Sequence, residues 1–292
     1  MSSAGFPSDD AVATHRHNDA VLARALAGVR ADVDVSIACA ATGPRTRLTS
    51  LTESGGYRAK FPRALGNGLE AVIVNSGGGV AGGDRVRLSA SADVGAHLTV
   101  STATAERIYR SLGPSTEISV RLEVQSGATL GWLPQPTILF SGARLDRRFD
   151  IDLAADARLI LAETFVFGRI ASGEIMGDGM VRDRWRIRRD GRLAFAETTH
   201  LDGDIAALLD RPTIAGGARA TVLIVIVAPD AEDLCDGVRA ALESCRADHG
   251  VSAWGGLLVV RALASGLDAV HDAVQRVVKI AMGGSVPRAW AG

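Results

Sequence analysis

The sequence predicts a mainly β fold of stacked, solenoid-like layers with a C-terminal β-α-β-α portion and few helices. An imperfect repeat of 29 to 34 residues runs from Val86 to Glu197, with segments starting at Val86, Val120, Phe149 and Asp183 that align without gaps over five residues. Each copy alternates apolar and polar residues, which is the period of a half-buried strand and not of a helix. A turn and a second strand follow each copy, opened by Ala96-His-Leu, Ala128-Thr-Leu, Ala157-Arg-Leu and Gly191-Arg-Leu. No single copy can bury its own apolar face, so the copies must stack.

Taken in order, residues 1–30 read as a disordered tail, since Asp9, Asp10, His15 and His17 leave no apolar centre for a signal peptide. Residues 31–292 read as a single domain, with 31–219 as the stacked β body and 220–292 as the β-α-β-α portion. Leu69 to Val74 is an apolar strand leading into Asn75-Ser-Gly-Gly-Gly-Val-Ala-Gly-Gly-Asp84. Gly77, Gly79 and Gly82 satisfy G-x-G-x-x-G, but a dinucleotide site needs a helix next, and Arg85 to Ala90 has strand period. Asp84 also stands where a Walker loop needs Lys and Ser/Thr. A strand, a glycine turn and a second strand are expected instead.

The repeat register gives inward columns Leu88, Leu122, Ile151, Trp185 and Ala90, Val124, Leu153, Ile187. On the outer face it sets Asp150 and Asp152 opposite Arg184 and Arg186. In the C-terminal third, Thr221 to Val227 is a buried strand and Asp230 is placed to cap a helix to about Ala247, with Gly250 beyond its end. Leu257 to Leu263 is a second strand. A last helix from Leu267 to Met282 carries the stripe Leu267, Val270, Val274, Val277, Val278 and Ala281.

With 292 residues, 47% of them hydrophobic, the chain can bury a sizeable core. A formal net charge of −1 argues against a nucleic-acid binder, and no apolar run approaches the ~20 residues of a membrane span. A cytoplasmic chain is expected. Cys235 and Cys245, ten apart on a predicted helix, are about 15 Å apart and do not form a disulfide.

Catalytic constellations are sparse. The six histidines have no ligand spacing, His15-Arg16-His17 reads as polar tail, and no G-x-S-x-G elbow presents a serine. Glu106-Arg107-Ile108-Tyr109-Arg110 reads either as a site or as a salt-bridged strand end. Only two of the 32 basic residues are lysines, Lys60 and Lys279. Arg182, Arg184, Arg186 and Arg188 project from one side of a strand. With Asp152 assigned to Arg186, the others, Arg182, Arg184 and Arg188, are candidates for a partner interface, against the alternative of a solvated face.

A string of motifs settles the reading. The glycine segment Asn75 to Arg85, Ala105-Glu-Arg-Ile-Tyr-Arg-Ser111, Trp132-Leu-Pro-Gln-Pro-Thr-Ile-Leu-Phe140 and Glu163-Thr-Phe-Val-Phe-Gly-Arg169 stand in order, followed by Gly173-Glu174, Asp183-Arg-Trp185 and Pro287-Arg-Ala-Trp290. Together they resemble the urease accessory protein family UreD, also called UreH, over about Ala31 to Trp290. Pro136 and the segment Lys279 to Gly284 depart from the family pattern. The resemblance implies a non-enzymatic maturation factor of a nickel enzyme, a mainly β stacked body, and partners in UreF, the GTPase UreG and the apo-urease subunits. It implies neither nucleic acid nor membrane binding, and no tightly bound cofactor, only nickel in transit.

Glu163 and Glu197 occupy the same place in successive copies, on the inward face, where an unpaired carboxylate is costly. They are expected to line a route for nickel, extended by Asp84 and Glu106, or else to be held by a buried arginine such as Arg169 or Arg107. Competing classes are a dinucleotide-dependent oxidoreductase using the Gly77 to Gly82 turn, and a free-standing nickel store.

Overall fold

The structure, a computed structural model, describes residues 30–63 and 66–290. The predicted tail, apart from Arg30, lies outside the described residues. Strands β1 (Asp32–Thr42) and β2 (Arg45–Glu53) form a hairpin in a first sheet, and β3 (Tyr57–Lys60) and β4 (Leu69–Asn75) pair in a second. The glycine turn returns the chain to the first sheet at β5 (Arg85–Ala92), parallel to β1.

From there the chain winds. β6 (His97–Thr102) lies in the second sheet, β7 (Glu106–Ile108) on a short third side, and β8 (Thr116–Val124) in the first sheet. The next turn repeats this with β9 (Thr129–Trp132), β10 (Thr137–Leu139) and β11 (Arg144–Leu153). β12 (Arg158–Phe167) is long enough to pair with β9 at its start and β10 at its end, and β13 (Asp178–Arg189) returns to the first sheet. Stacked windings pair in parallel, β5 with β8, β8 with β11 and β11 with β13, as the repeat predicts.

The fourth copy breaks the pattern. β14 (Arg192–Asp204) does not cross to the second sheet but folds back antiparallel on β13. Asp190 and Gly191, at φ 52° and 72°, form the two-residue turn that favours a hairpin. After the short helix α1 (Ile205–Asp210), β15 (Ala220–Val227) joins the second sheet beside β12. Helix α2 (Cys235–Leu242) follows. β16 (Asp248–Trp254) and β17 (Leu257–Ala264) then complete the sheet, and α3 (Leu267–Ala281) closes the unit.

One apolar core lies between the sheets, from Val33 and Ile37 through Leu122 and Phe149 to Val259. A second lies on the outer face of the second sheet, where Val238 and Leu242 of α2 and Val270, Val274, Val277 and Val278 of α3 cover Ile224, Ile226 and Val260. The predicted α3 stripe is thus the packed one.

Three expectations change. The helix after Asp230 is much shorter, beginning as a 3-10 turn at Ala231–Leu234 and ending at Leu242, so Cys245 lies beyond it and all three cysteines are free. Asp230 caps nothing with its side chain; Arg158 holds it at 2.5 and 2.6 Å. Gly250 sits inside β16, an edge strand the periodicity missed, because Gly255 and Gly256 at φ 57° and 78° turn a second tight hairpin.

The predicted columns keep their faces, and β8 against β11 keeps the predicted register, Leu122 beside Ile151 and Val124 beside Leu153, but β5–β8 and β11–β13 slip by two residues. Observed rows are Leu88, Val120, Phe149, Trp185 and Ala90, Leu122, Ile151, Ile187. A shift of two preserves which side a residue faces, so burial cannot detect it. On the outer face Asp150 therefore stands opposite Arg186, and Asp152 opposite Arg188, 4.0 Å away.

The glycine turn links strands of different sheets, with Gly78, Gly79 and Gly83 at positive φ. A Cβ on Gly79 would lie 2.5 Å from the Tyr109 ring and 2.9 Å from the Arg107 carbonyl oxygen, and one on Gly82 would lie 2.8 Å from the Pro114 carbonyl oxygen. Gly79→Val and Gly82→Val are each expected to destabilise by about 1–3 kcal/mol or more, read as a lowered melting temperature. In a double-mutant cycle, Asp152→Asn with Arg188→Gln should couple by about 0.2–1 kcal/mol. The same cycle with Arg186→Gln should show no coupling.

Candidate functional site

The inward slots of the first sheet are apolar along β11 at Leu145, Phe149 and Ile151, yet the slot between the first two holds Arg147, which is 3% exposed. Its row neighbour on β13 is Asp183, and from the opposite sheet β12 brings Glu163 against it. Arg147 donates to Asp183 through Nε at 2.9 Å and Nη2 at 2.8 Å, and to Glu163 through Nη1 at 2.5 Å. Trp132 and Trp185 complete the shell, donating indole N–H to Glu163 and Asp183, each at 2.9 Å. The guanidinium also lies over the rings of Phe165 and Phe149, at 4.4 and 5.1 Å.

The arrangement joins the sheets through a charge whose donors are met on both sides. Burial pushes the Glu163 carboxyl above the usual carboxylate range, against the lowering pull of Arg147 and the Trp132 N–H. Burial acts to lower the Arg147 pKa, but Asp183 and Glu163 outweigh it and hold the guanidinium charged.

A cavity of about 250 Å³ opens beside this cluster. Glu163 and Asp183 line its inner end, Phe167, Trp185, Leu209 and Leu223 its apolar wall, and Glu197 and Arg261 its polar side. The row Glu163, Leu223, Arg261 crosses three strands of the second sheet, and Glu197, opposite Trp185 in the first, reaches across to Arg261. Two ion pairs between the sheets therefore bracket the cavity. The inner is buried, at 4% and 5% side-chain exposure, and the outer is half open, at 54% for Arg261 and 23% for Glu197.

The expected carboxylates divide. Glu163 and Glu197 do face the interior and share this cavity, but from opposite sheets, because β14 folds back. Asp84 and Glu106 do not line it. Asp84 closes the glycine turn, accepting from the backbone N–H groups of Ala31 and Ala81 at 2.8 Å each. Glu106 accepts from the Tyr57 hydroxyl at 2.5 Å and the Asn75 amide at 2.9 Å, beside a separate void of about 30 Å³. Burial raises its pKa despite these two bonds.

The buried arginine is Arg147, not Arg169, which pairs with Glu174, nor Arg107, whose backbone N–H meets Glu106. Its signal was in the sequence, as a charge in an inward slot of the period-two pattern. No three His, Cys, Asp or Glu side chains converge as a metal-binding group among the described residues. A strand follows Gly82 where a dinucleotide site needs a helix.

On the outer face, Arg182 and Arg184 both clasp Asp146, the latter at 2.7 Å, and Arg188 faces Asp152. All three candidate interface arginines thus have carboxylates within the chain. Burial raises the Asp146 pKa but the two arginines outweigh it, holding it below the usual range. That clasp contributes above the ~3.9 of a free aspartate and is lost as pH falls through the depressed folded value.

Residues 29–291 match the family described as UreD urease accessory protein. A urease accessory protein UreD of Xanthobacter autotrophicus is 47% identical over 98% of this chain and 96% of its own length. Those of a Methylobacterium species and of Rhodopseudomonas palustris are 48% and 44% identical, over 85% and 89% of this chain and 90% and 93% of theirs.

Replacing Arg147 by Met should strand two buried carboxylates and cost about 3–5 kcal/mol. Adding Glu163→Leu and Asp183→Leu should recover much of that loss, measured by denaturant unfolding.

Proposed function

The chain belongs to the UreD family of urease accessory proteins, and from that premise we propose that it serves urease maturation without catalysis of its own. It docks with UreF and the GTPase UreG on the apo-urease subunits, and nickel reaches the enzyme through that assembly. The observation that carries the reading is the family match along nearly the whole described chain, at 44–48% identity to the three relatives above.

Passage of nickel past Glu163 and Glu197 is the finer part of the reading. It is supported by their sharing one cavity, which Asp183 also lines. Both carboxylates already hold arginines, so an entering cation meets only their remaining lone pairs or must compete with a guanidinium. Oxygen ligands without histidine or thiolate hold nickel weakly, which suits transit. Asp84 and Glu106 belong to this route only if it continues toward the glycine turn.

Co-expression of the urease subunits with the other accessory proteins, with and without this chain, tests the role. Nickel-dependent activity should fall toward background in its absence while urease subunits still accumulate. Within the assembly, Glu163→Gln and Glu197→Gln should leave partner binding intact and reduce the nickel content of urease. Undiminished activation in both single variants and in the double variant would end the passage idea and leave the docking role standing.

A further inference from the structure

The outer face of the first sheet carries rows of charged side chains, and most are matched. Arg85 meets Glu117, Arg87 meets Asp32 and Asp34, Arg121 meets Glu123, and Asp146 takes both Arg182 and Arg184. Among the described residues Arg186 also lacks an ion pair, opposite Asp150 toward the β14 edge, but the exception at the centre is Arg148. It is exposed, and among the described residues it has no carboxylate within ion-pair distance and no side-chain hydrogen bond.

Its row explains why. Pairing sets Arg87, Ser119, Arg148 and Arg184 side by side across β5, β8, β11 and β13. Three guanidiniums stand in one row, with acid only at its β1 end, where Asp34 is engaged with Arg87. Ser119 is the short member, and a hollow of about 220 Å³ lies above it, lined by Arg87, Arg148 and Arg184 and also by Glu117 and Asp146, whose carboxylates hold Arg85, Arg182 and Arg184. Arg87 and Arg148 spring from strands roughly 10 Å apart, leaving space between them for one planar oxyanion over the Ser119 hydroxyl.

We propose that this slot, centred on Arg148 and Ser119, docks a carboxylate side chain from an acidic segment of a protein partner. It rests on the reading that the chain works by binding other proteins, and it moves the interface from the arginines already clasped by aspartates to an unpaired one at the centre of the face. Neighbouring rows decide the kind of anion. Glu117 and Asp146 on one side and Asp150 on the other flank the arginine row. A continuous polyanion laid across the face would meet them, whereas single carboxylates at defined spacing would not. The chain's formal net charge of −1 offers no long-range pull on nucleic acid either.

The test is fluorescence anisotropy of a labelled peptide whose glutamates are separated by pairs of neutral residues, with the purified full-length chain at low salt, and with inorganic phosphate and a single-stranded oligonucleotide as competitors. Saturable, salt-sensitive binding is expected, weakened about tenfold or more by Arg148→Ser and less by Arg148→Lys, which keeps the charge but loses the fork. Arg239→Ser, on α2 behind the second sheet, should bind as the parent does. Absence of binding by the parent chain, equal binding by Arg148→Ser, or tighter binding of the oligonucleotide than of the peptide would overturn the proposal. Because the readout needs no urease, it stands or falls apart from the maturation assay.

Discussion

Two sheets of stacked strands face each other across an apolar interior, and the place where that interior tolerates charge constrains everything near it. Arg147 springs from the first sheet, and its donors are taken by Asp183 in its own sheet and Glu163 in the other. A guanidinium buried this deeply is costly unless every face is met, so the strands bearing its partners must keep their register. Trp132 and Trp185 are drawn into the same arrangement through their indole N–H groups. A core built of hydrophobic side chains alone would tolerate a slip by two residues; this cluster would not.

From that fixed point the cavity follows. The fourth copy of the repeat turns back at Asp190-Gly191, so the last winding leaves a gap between the edge of the first sheet and β15 and β17 of the second. Glu197 and Arg261 span that gap as a more exposed echo of the inner pair. Family membership gives the chain its place in urease maturation. The geometry adds that the three acidic residues lining the cavity, Glu163, Asp183 and Glu197, already hold arginines, which makes any cation there a competitor and not an occupant of an empty site.

Much of the fold was legible in the residues. The repeat announced stacked strands, strict alternation separated inward from outward positions, and the α3 stripe emerged with the expected face buried. Asp190-Gly191 and Gly255-Gly256 are tight-turn signals in the sequence, and they make the β13–β14 and β16–β17 hairpins, which neither the repeat nor the helical pattern predicts. Arg147 was legible in the same way, as a charge in an inward slot of β11.

The sequence by itself determined which face each strand buries, because alternation has a period of two and any charged residue out of phase is expensive. It also determined the family, through ordered motifs spread from the glycine turn to Trp290. Only the tertiary structure decided which charges meet. A shift of two residues leaves every side chain on its own face while exchanging its partner, so hydrophobic pattern cannot choose between Arg186 and Arg188 for Asp152. Likewise, whether Glu163 and Glu197 stack on one sheet or face each other across a cavity depends on whether β14 crosses or returns. That choice rests on the local geometry of one turn and is settled only when the opposing sheet is in place.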